Sequence, residues 1–245
     1  MNIGKDGTGK KTKRIVAGDR FFGETARMAR SKRKIPFIEK CFRAYLESED
    51  SAQFVCVVSS RYTEYTLTRL ATSERRGTRR AATMALGFVG TFRSNAILAK
   101  ALRDRDRAVR MLAENGIRSL WNRAAGEWYD HKIEAISWLN FSFQYEHAME
   151  MASEVIEQVP SFAEAWNQRA LSCYGLGQFE LAIGDCQQTL DLNPFHFLAA
   201  SGMGNSYLQQ KQSERALECF QRALKLNPGL DGVRAQVDRL HRTLG

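Results

Sequence analysis

Along most of the chain, apolar positions return every three or four residues, the spacing that places side chains on one side of an α-helix. Val233, Val237 and Leu240 show it near the C-terminus. Arginine-rich amphipathic segments show it between Leu67 and Arg123, and helices are expected over residues 36–47 and 62–71. The run Phe54-Val55-Cys56-Val57-Val58 is β-branched enough to form a short strand, but its surroundings favour helix. Only four prolines interrupt the chain, so an all-α fold is predicted.

A longer period is laid over the short one. Pro160, Pro194 and Pro228 are evenly spaced, and Ala148, Ala182 and Ala216 recur at the same interval of thirty-four. Thirty-four residues hold two helices and two short turns, with proline ending the second helix because it cannot continue the hydrogen-bond ladder. A small residue near the start of each second helix allows the paired helices to approach closely. Tyr145 and Phe179 precede two of those alanines by three, one turn earlier on the same face.

These residues make the chain from Tyr129 onward resemble tetratricopeptide repeats. In residues 163–196, Trp166, Gly177, Phe179, Ala182, Leu190 and Pro194 fall on that family's signature positions. In residues 197–230, Gly204, Tyr207, Ala216, Phe220, Ala223 and Pro228 do so, ending in Ala-Leu-Lys-Leu-Asn-Pro. Residues 129–162 keep Tyr145, Ala148 and Pro160 but carry Ile136 where a small residue is preferred. A capping helix over 229–244 is expected to close the array.

The resemblance implies a right-handed helical-hairpin solenoid whose first helices line a concave groove for a partner's peptide or helix. Carried over position by position, the groove residues are Ile133, Ser137, Asn140 and Phe141, then Glu164, Asn167, Leu171 and Tyr174, then Leu198, Ser201, Asn205, Leu208 and Gln209. Asparagine amides would grip a partner's backbone, and the apolar members would bury its side chains. One form of this groove clamps a C-terminal carboxylate with basic residues. Here the matching positions hold Ile133, Ser137, Gln168, Leu198 and Gly202, none of them basic.

A second, looser repeat precedes the first. At an offset of 31, Arg79 maps to Arg110, Ala82 to Ala113, Leu86 to Ile117 and Val89 to Leu120. Residues 98–120, with Asp104-Arg105-Asp106-Arg107-Ala108-Val109-Arg110, resemble a HEAT repeat, and the solenoid is expected to continue from HEAT-like into tetratricopeptide repeats. The resemblance implies that Asp106 caps a helix and that Arg110 pairs with an acid of a neighbouring repeat. Gly77 and Gly87 should weaken the upstream copy.

Charge divides the chain. Residues 1–126 carry 27 Lys/Arg against 12 Asp/Glu, and residues 127–245 carry 9 against 15. Three segments are therefore expected: a disordered basic tail over 1–34, HEAT-like repeats over 35–126, and the tetratricopeptide-like repeats with their cap over 127–245. Arg75, Arg76, Arg79 and Arg80, with the tail lysines and arginines, are candidate contacts for nucleic acid or another polyanion. The polar, basic N-terminus lacks the apolar core of a signal peptide, which places the protein in the cytosol as an expectation.

Catalytic motifs are sparse. Gly4 to Lys10 imitates the start of a phosphate-binding loop, but Lys11 stands where Ser or Thr should hold magnesium. His131, His147, His196 and His241 are scattered and are read as surface or groove residues; the five cysteines lack zinc spacing and are read as small buried hydrophobes. Neither cofactor nor metal nor membrane span is expected. The reading is a non-catalytic scaffold that binds a protein segment, with polyanion binding by the basic half and an enzyme of a HEAT-like class as alternatives.

Overall fold

Two sets of helical hairpins follow one another along the chain. The computed structural model describes residues 35–244, and the regular elements among them are all helical. Residues 1–34, with the motif from Gly4 to Lys10 and the basic cluster expected to form a tail, lie outside the described residues. In the N-terminal half are α1 (Phe37–Ser48), α2 (Ser51–Ser59), α3 (Glu64–Leu70), α4 (Arg76–Val89), α5 (Asn95–Ala101) and α6 (Arg107–Asn122). Phe54–Val58 lies inside α2, as its helical surroundings favoured. The tetratricopeptide-like repeats supply α7 (Glu127–Phe141) with α8 (Tyr145–Gln158), α9 (Ala163–Gly175) with α10 (Phe179–Leu192), and α11 (Phe197–Gln209) with α12 (Ser213–Leu226), followed by α13 (Asp231–Leu244).

The proline period acts one residue early. Val159, Asn193 and Asn227 end α8, α10 and α12 with φ near −136°, −136° and −130° and ψ of 76°, 90° and 100°. Steric conflict with the proline ring drives the preceding residue out of helical space, so the same exit recurs three times. A second three-fold feature was not visible in composition. The residue turning each first helix into its second has positive φ: Phe143 at 61°, Gly177 at 75° and Lys211 at 61°. Each turn closes with the same bond from the next amide to a carbonyl five residues back: Gln144 to Leu139 at 2.9 Å, Gln178 to Cys173 at 2.8 Å and Gln212 to Tyr207 at 2.9 Å. The hairpin over 129–162 therefore has the backbone of the other two despite its divergent sequence.

The offset of 31 also has a structural counterpart. Arg79 Nη1 donates to the carbonyls of Ser73 and Glu74 at 2.9 and 3.0 Å, and Arg110 Nη1 donates to those of Asp104 and Arg105 at 2.9 and 3.4 Å. The acid pairing expected of Arg110 is made instead by Arg79, whose guanidinium forks onto Asp104 at 2.7 and 3.0 Å. Asp106 caps α6 by accepting from Val109 N at 3.1 Å. Gly87 does more than weaken α4. A Cβ there would lie 2.9 Å from Gly116 Cα, so the two glycines let α4 and α6 cross backbone to backbone.

The N-terminal core gathers Ile38, Phe54, Leu67, Leu86, Leu98, Ile117, Leu120 and Trp121. Phe197 of the third repeat belongs to the same cluster, with Phe195, Leu198, Leu226 and Leu230 packed around it. The two halves thus share one core instead of meeting only through the link at Gly126.

Candidate functional site

The concave side of the repeats faces the end of α6 across a cleft of about 640 Å³. Eight of the thirteen groove residues line it. Ser137 comes from α7; Glu164, Asn167, Leu171 and Tyr174 come from α9; Leu198, Ser201 and Asn205 come from α11. The opposite wall was missed by sequence reasoning: Arg118, Ser119, Trp121 and Asn122 of α6. Helical spacing puts 118, 121 and 122 on one face, but nothing local shows that the face turns toward a repeat more than forty residues away.

Five expected groove residues sit elsewhere. Ile133 is fully buried with Ile136 in the core of the first hairpin. Asn140 is buried, with Nδ2 donating to the carbonyl and Oε1 of Gln168, both at 3.1 Å. Phe141 stands out at 82% exposure beyond the cleft, and Leu208 packs beside Phe220. Gln209 Nε2 donates to the Tyr174 hydroxyl at 3.1 Å, at the rim. Ile133, Asn140 and Leu208 have neighbours packed on their helix faces, and packing claims them before a ligand can.

A buried polar network lies behind the cleft and reaches its lining at Trp121 and Glu164. Trp121 Nε1 donates to Asn95 Oδ1 at 2.8 Å, and Asn95 Nδ2 donates to Asn193 Oδ1 at 2.8 Å. The Trp121 indole stacks on His196, with centroids 4.1 Å apart and planes 20° from parallel. His196, read from sequence as a surface or groove histidine, is completely buried. Its Nδ1 accepts from Ala199 N at 3.1 Å, capping α11, which leaves the Nε2 proton to donate to Glu164 Oε2 at 2.9 Å.

Glu164 Oε1 accepts from Gln168 Nε2 at 2.8 Å and from Asn167 Nδ2 at 3.0 Å. Burial pushes the Glu164 carboxyl up, but the bonds from His196, Gln168 and Asn167 together outweigh it and hold the group below its ordinary value. Glu164 is therefore largely an internal acceptor: it fixes the Asn167 amide at the cleft and is itself buried.

The arginines of the basic half are largely engaged. Arg75 reaches Glu39 at 3.1 Å, Arg79 is buried on Asp104, and Arg80 forks onto Asp106 at 2.8 and 2.7 Å. Arg76 is exposed. Partnering by Arg80 holds the Asp106 carboxyl down to about 2. Ion pairing between adjacent hairpins accounts for three of the four arginines before any polyanion is considered.

Cys41, Cys173 and Cys186 are buried, Cys219 is half-buried and Cys56 is exposed, so the small-hydrophobe reading misses Cys56. Among the described residues, no group of three or more His, Cys, Asp or Glu side chains could hold a metal ion. Among the same residues, no helix is long and apolar enough to cross a membrane.

Paired helices stacked in register, with first helices lining a concave cleft, define a helical-hairpin repeat protein. Its second and third repeats are tetratricopeptide repeats: the model of that family matches residues 163–196 and 198–230. A TPR repeat-containing protein of Rhizobium etli is 26% identical over 155 residues, covering 60% of this chain and 72% of that protein. Hsp70-Hsp90 organizing protein 3 of Arabidopsis thaliana is 28% identical over 103 residues, which is 40% of this chain and 18% of that protein. Among solved structures, the first TPR domain of human RPAP3 matches with a TM-score of 0.45 and 20% identity, covering 46% of this chain and 89% of that one.

Proposed function

We propose that the protein is a non-catalytic adaptor of the cytosol that holds an extended segment of a partner protein in the cleft between α6 and the repeats. The observation that carries this reading is the cleft itself. Two side-chain amides, Asn167 and Asn205, stand among Leu171, Tyr174 and Leu198, a mixture that suits backbone hydrogen bonding with alternate side chains buried. The N-terminal half serves as the second wall. We read its hairpins as HEAT-like, on the repeated arginine-to-carbonyl bonds at an offset of 31.

The plant organizing proteins carry Hsp70 and Hsp90 in their names. For this chain we favour a different ligand chemistry. Positions that would clamp an acidic C-terminal tail hold Ile133, Ser137, Gln168, Leu198 and Gly202, and the cation lining the cleft is Arg118, supplied by the other half. A largely uncharged segment with apolar side chains fits better.

Peptides selected from a random array on the full chain test the reading. The best binder should lose roughly tenfold or more in affinity when Asn167 and Asn205 are both changed to alanine. The acidic peptide SRMEEVD, bound by the first TPR of Spaghetti (RPAP3) in its solved structure, should bind no better than about tenfold more weakly than that binder. Affinity unchanged by the two asparagine substitutions would remove the cleft from the explanation.

A further inference from the structure

Within the repeats, each first helix after α7 is covered on its N-terminal side by the hairpin before it. α8 lies on α9, and α10 lies on α11. The covered face carries Ala165, Gln168 and Ser172 on α9 and Ala199, Gly202 and Ser206 on α11. Ser172 and Ser206 are 0% and 1% exposed, and Ser172 Oγ donates to Asn140 Oδ1 of the preceding hairpin at 2.8 Å. Small residues there let the neighbour approach to helix-packing distance.

One repeat earlier the same face of α7 carries His131, Glu134 and Trp138. Among the described residues nothing covers this face. Trp138 is 61% exposed and Phe141, one turn on, 82%. Trp128, three residues before His131 on the same helix, is exposed too, as is Phe143 in the turn that follows, edge-on to Tyr145. Such a concentration of bare aromatic surface on one hairpin marks an interaction site, since a solvated helix face is normally charged.

Size and charge select the occupant. Another repeat of the ordinary kind would need a small side chain where Trp138 stands. A second copy of this face would bring two acidic hairpins together, because residues 127–162 hold seven Asp/Glu and one Lys. Glu134 lies on the face itself, and Glu146, Glu150, Glu154 and Glu157 are exposed on α8. The complementary surface is apolar along one stripe and positive around it.

We propose that the N-terminal face of α7 docks a basic amphipathic helix of a partner protein, with Trp138 and Phe141 seated in its apolar stripe and Glu134 pairing with its cations. This surface is separate from the cleft, so one chain would join two partners.

The probe is a synthetic helix of about 18 residues, five turns, with leucines along one face and lysines on the other. Its binding to the full chain is measured by calorimetry beside a scrambled peptide of the same composition and a leucine/glutamate counterpart. The intact chain is expected to bind the leucine/lysine helix roughly tenfold or more tightly than either control. The Trp138→Ser/Phe141→Ser variant should lose that preference while keeping the parent's melting temperature, because both side chains are exposed.

Equal affinity for the scrambled peptide, or for the variant, overturns the proposal. So does self-association in sedimentation that the variant abolishes, which would assign the face to a second copy. The Asn167→Ala/Asn205→Ala chain should bind the probe undiminished; weakened binding there would place the probe in the cleft and equally overturn the proposal.

Discussion

The indole of Trp121 lies nearly flat on the ring of His196, 4.1 Å between centroids, and through that contact the basic half is keyed to the third repeat. One residue donates its ring proton to Asn95, and the other caps α11 and reaches Glu164. Packing and polar pairing thus converge on the same two side chains.

Trp121→Phe separates these contributions. Phenylalanine keeps most of the stack but leaves Asn95 Oδ1 without its donor, so a loss of about 1–3 kcal/mol is expected, the cost of an unsatisfied buried acceptor. Trp121→Ala, which also opens a cavity, should cost about 3–5 kcal/mol. Urea unfolding monitored by circular dichroism gives both numbers. No loss in Trp121→Phe would show that the hydrogen bond contributes nothing, and equal losses for the two variants would show that the ring packing adds nothing beyond it.

Glu164 should make stability acid-sensitive. Its folded carboxyl lies below the ordinary 4.5, so its contribution is complete above that value and is lost as pH falls through the lower folded value. Glu164→Gln should be less stable than the parent at pH 7 by about 1–3 kcal/mol, with the gap narrowing as the medium is acidified below about pH 4. Denaturation curves between pH 7 and pH 3 for the two proteins test this, and a gap that widens on acidification would contradict it.

The three equivalent turns predict opposite effects of one kind of substitution. Lys211 holds φ of 61° without being glycine. Lys211→Gly should stabilise by about 0.5–1 kcal/mol, since relief of left-handed strain exceeds the added chain entropy of glycine. Gly177→Ala should destabilise by about 1 kcal/mol for the converse reason. Thermal melts of the two variants check the sign.

The thiols should differ sharply in reactivity. Burial pushes Cys186 up to about 12 and Cys219 up to about 11, so neither presents thiolate near neutrality. Iodoacetamide at pH 8 should modify exposed Cys56 in the native protein and leave Cys186 and Cys219 unmodified until denaturant is added. Peptide mapping by mass spectrometry reads the order directly.

Much of the fold was legible in the sequence because the features that specify hairpins are local. A proline recurring once per repeat sets each helix end through its own neighbour, and an alanine with the same period sets one close approach. The helical character of Phe54–Val58 followed from its surroundings. The turns at Phe143 and Lys211 were hidden, since side chains that tolerate a strained backbone leave no compositional mark. Asn167, Leu171 and Leu198 line the cleft where position in the repeat put them, whereas the internal bonding of Asn140 to Gln168 and of Glu164 to His196 could not be read from position. An amide or carboxylate on the right helix face looks the same in sequence whether it meets a ligand or a buried neighbour.

By itself, then, the sequence determined the helices, their pairing into hairpins, the order of the repeats and the face that turns inward, all through contacts no longer than a single repeat. Only the tertiary structure decided that the basic half shares a core with the third repeat and walls the cleft, and that most of the candidate arginines are bound to aspartates and a glutamate. Asn95 and Asn193 meet across 98 residues. A contact over that separation leaves no periodic trace in either segment, because complementarity of two distant surfaces is tested only once the chain has folded.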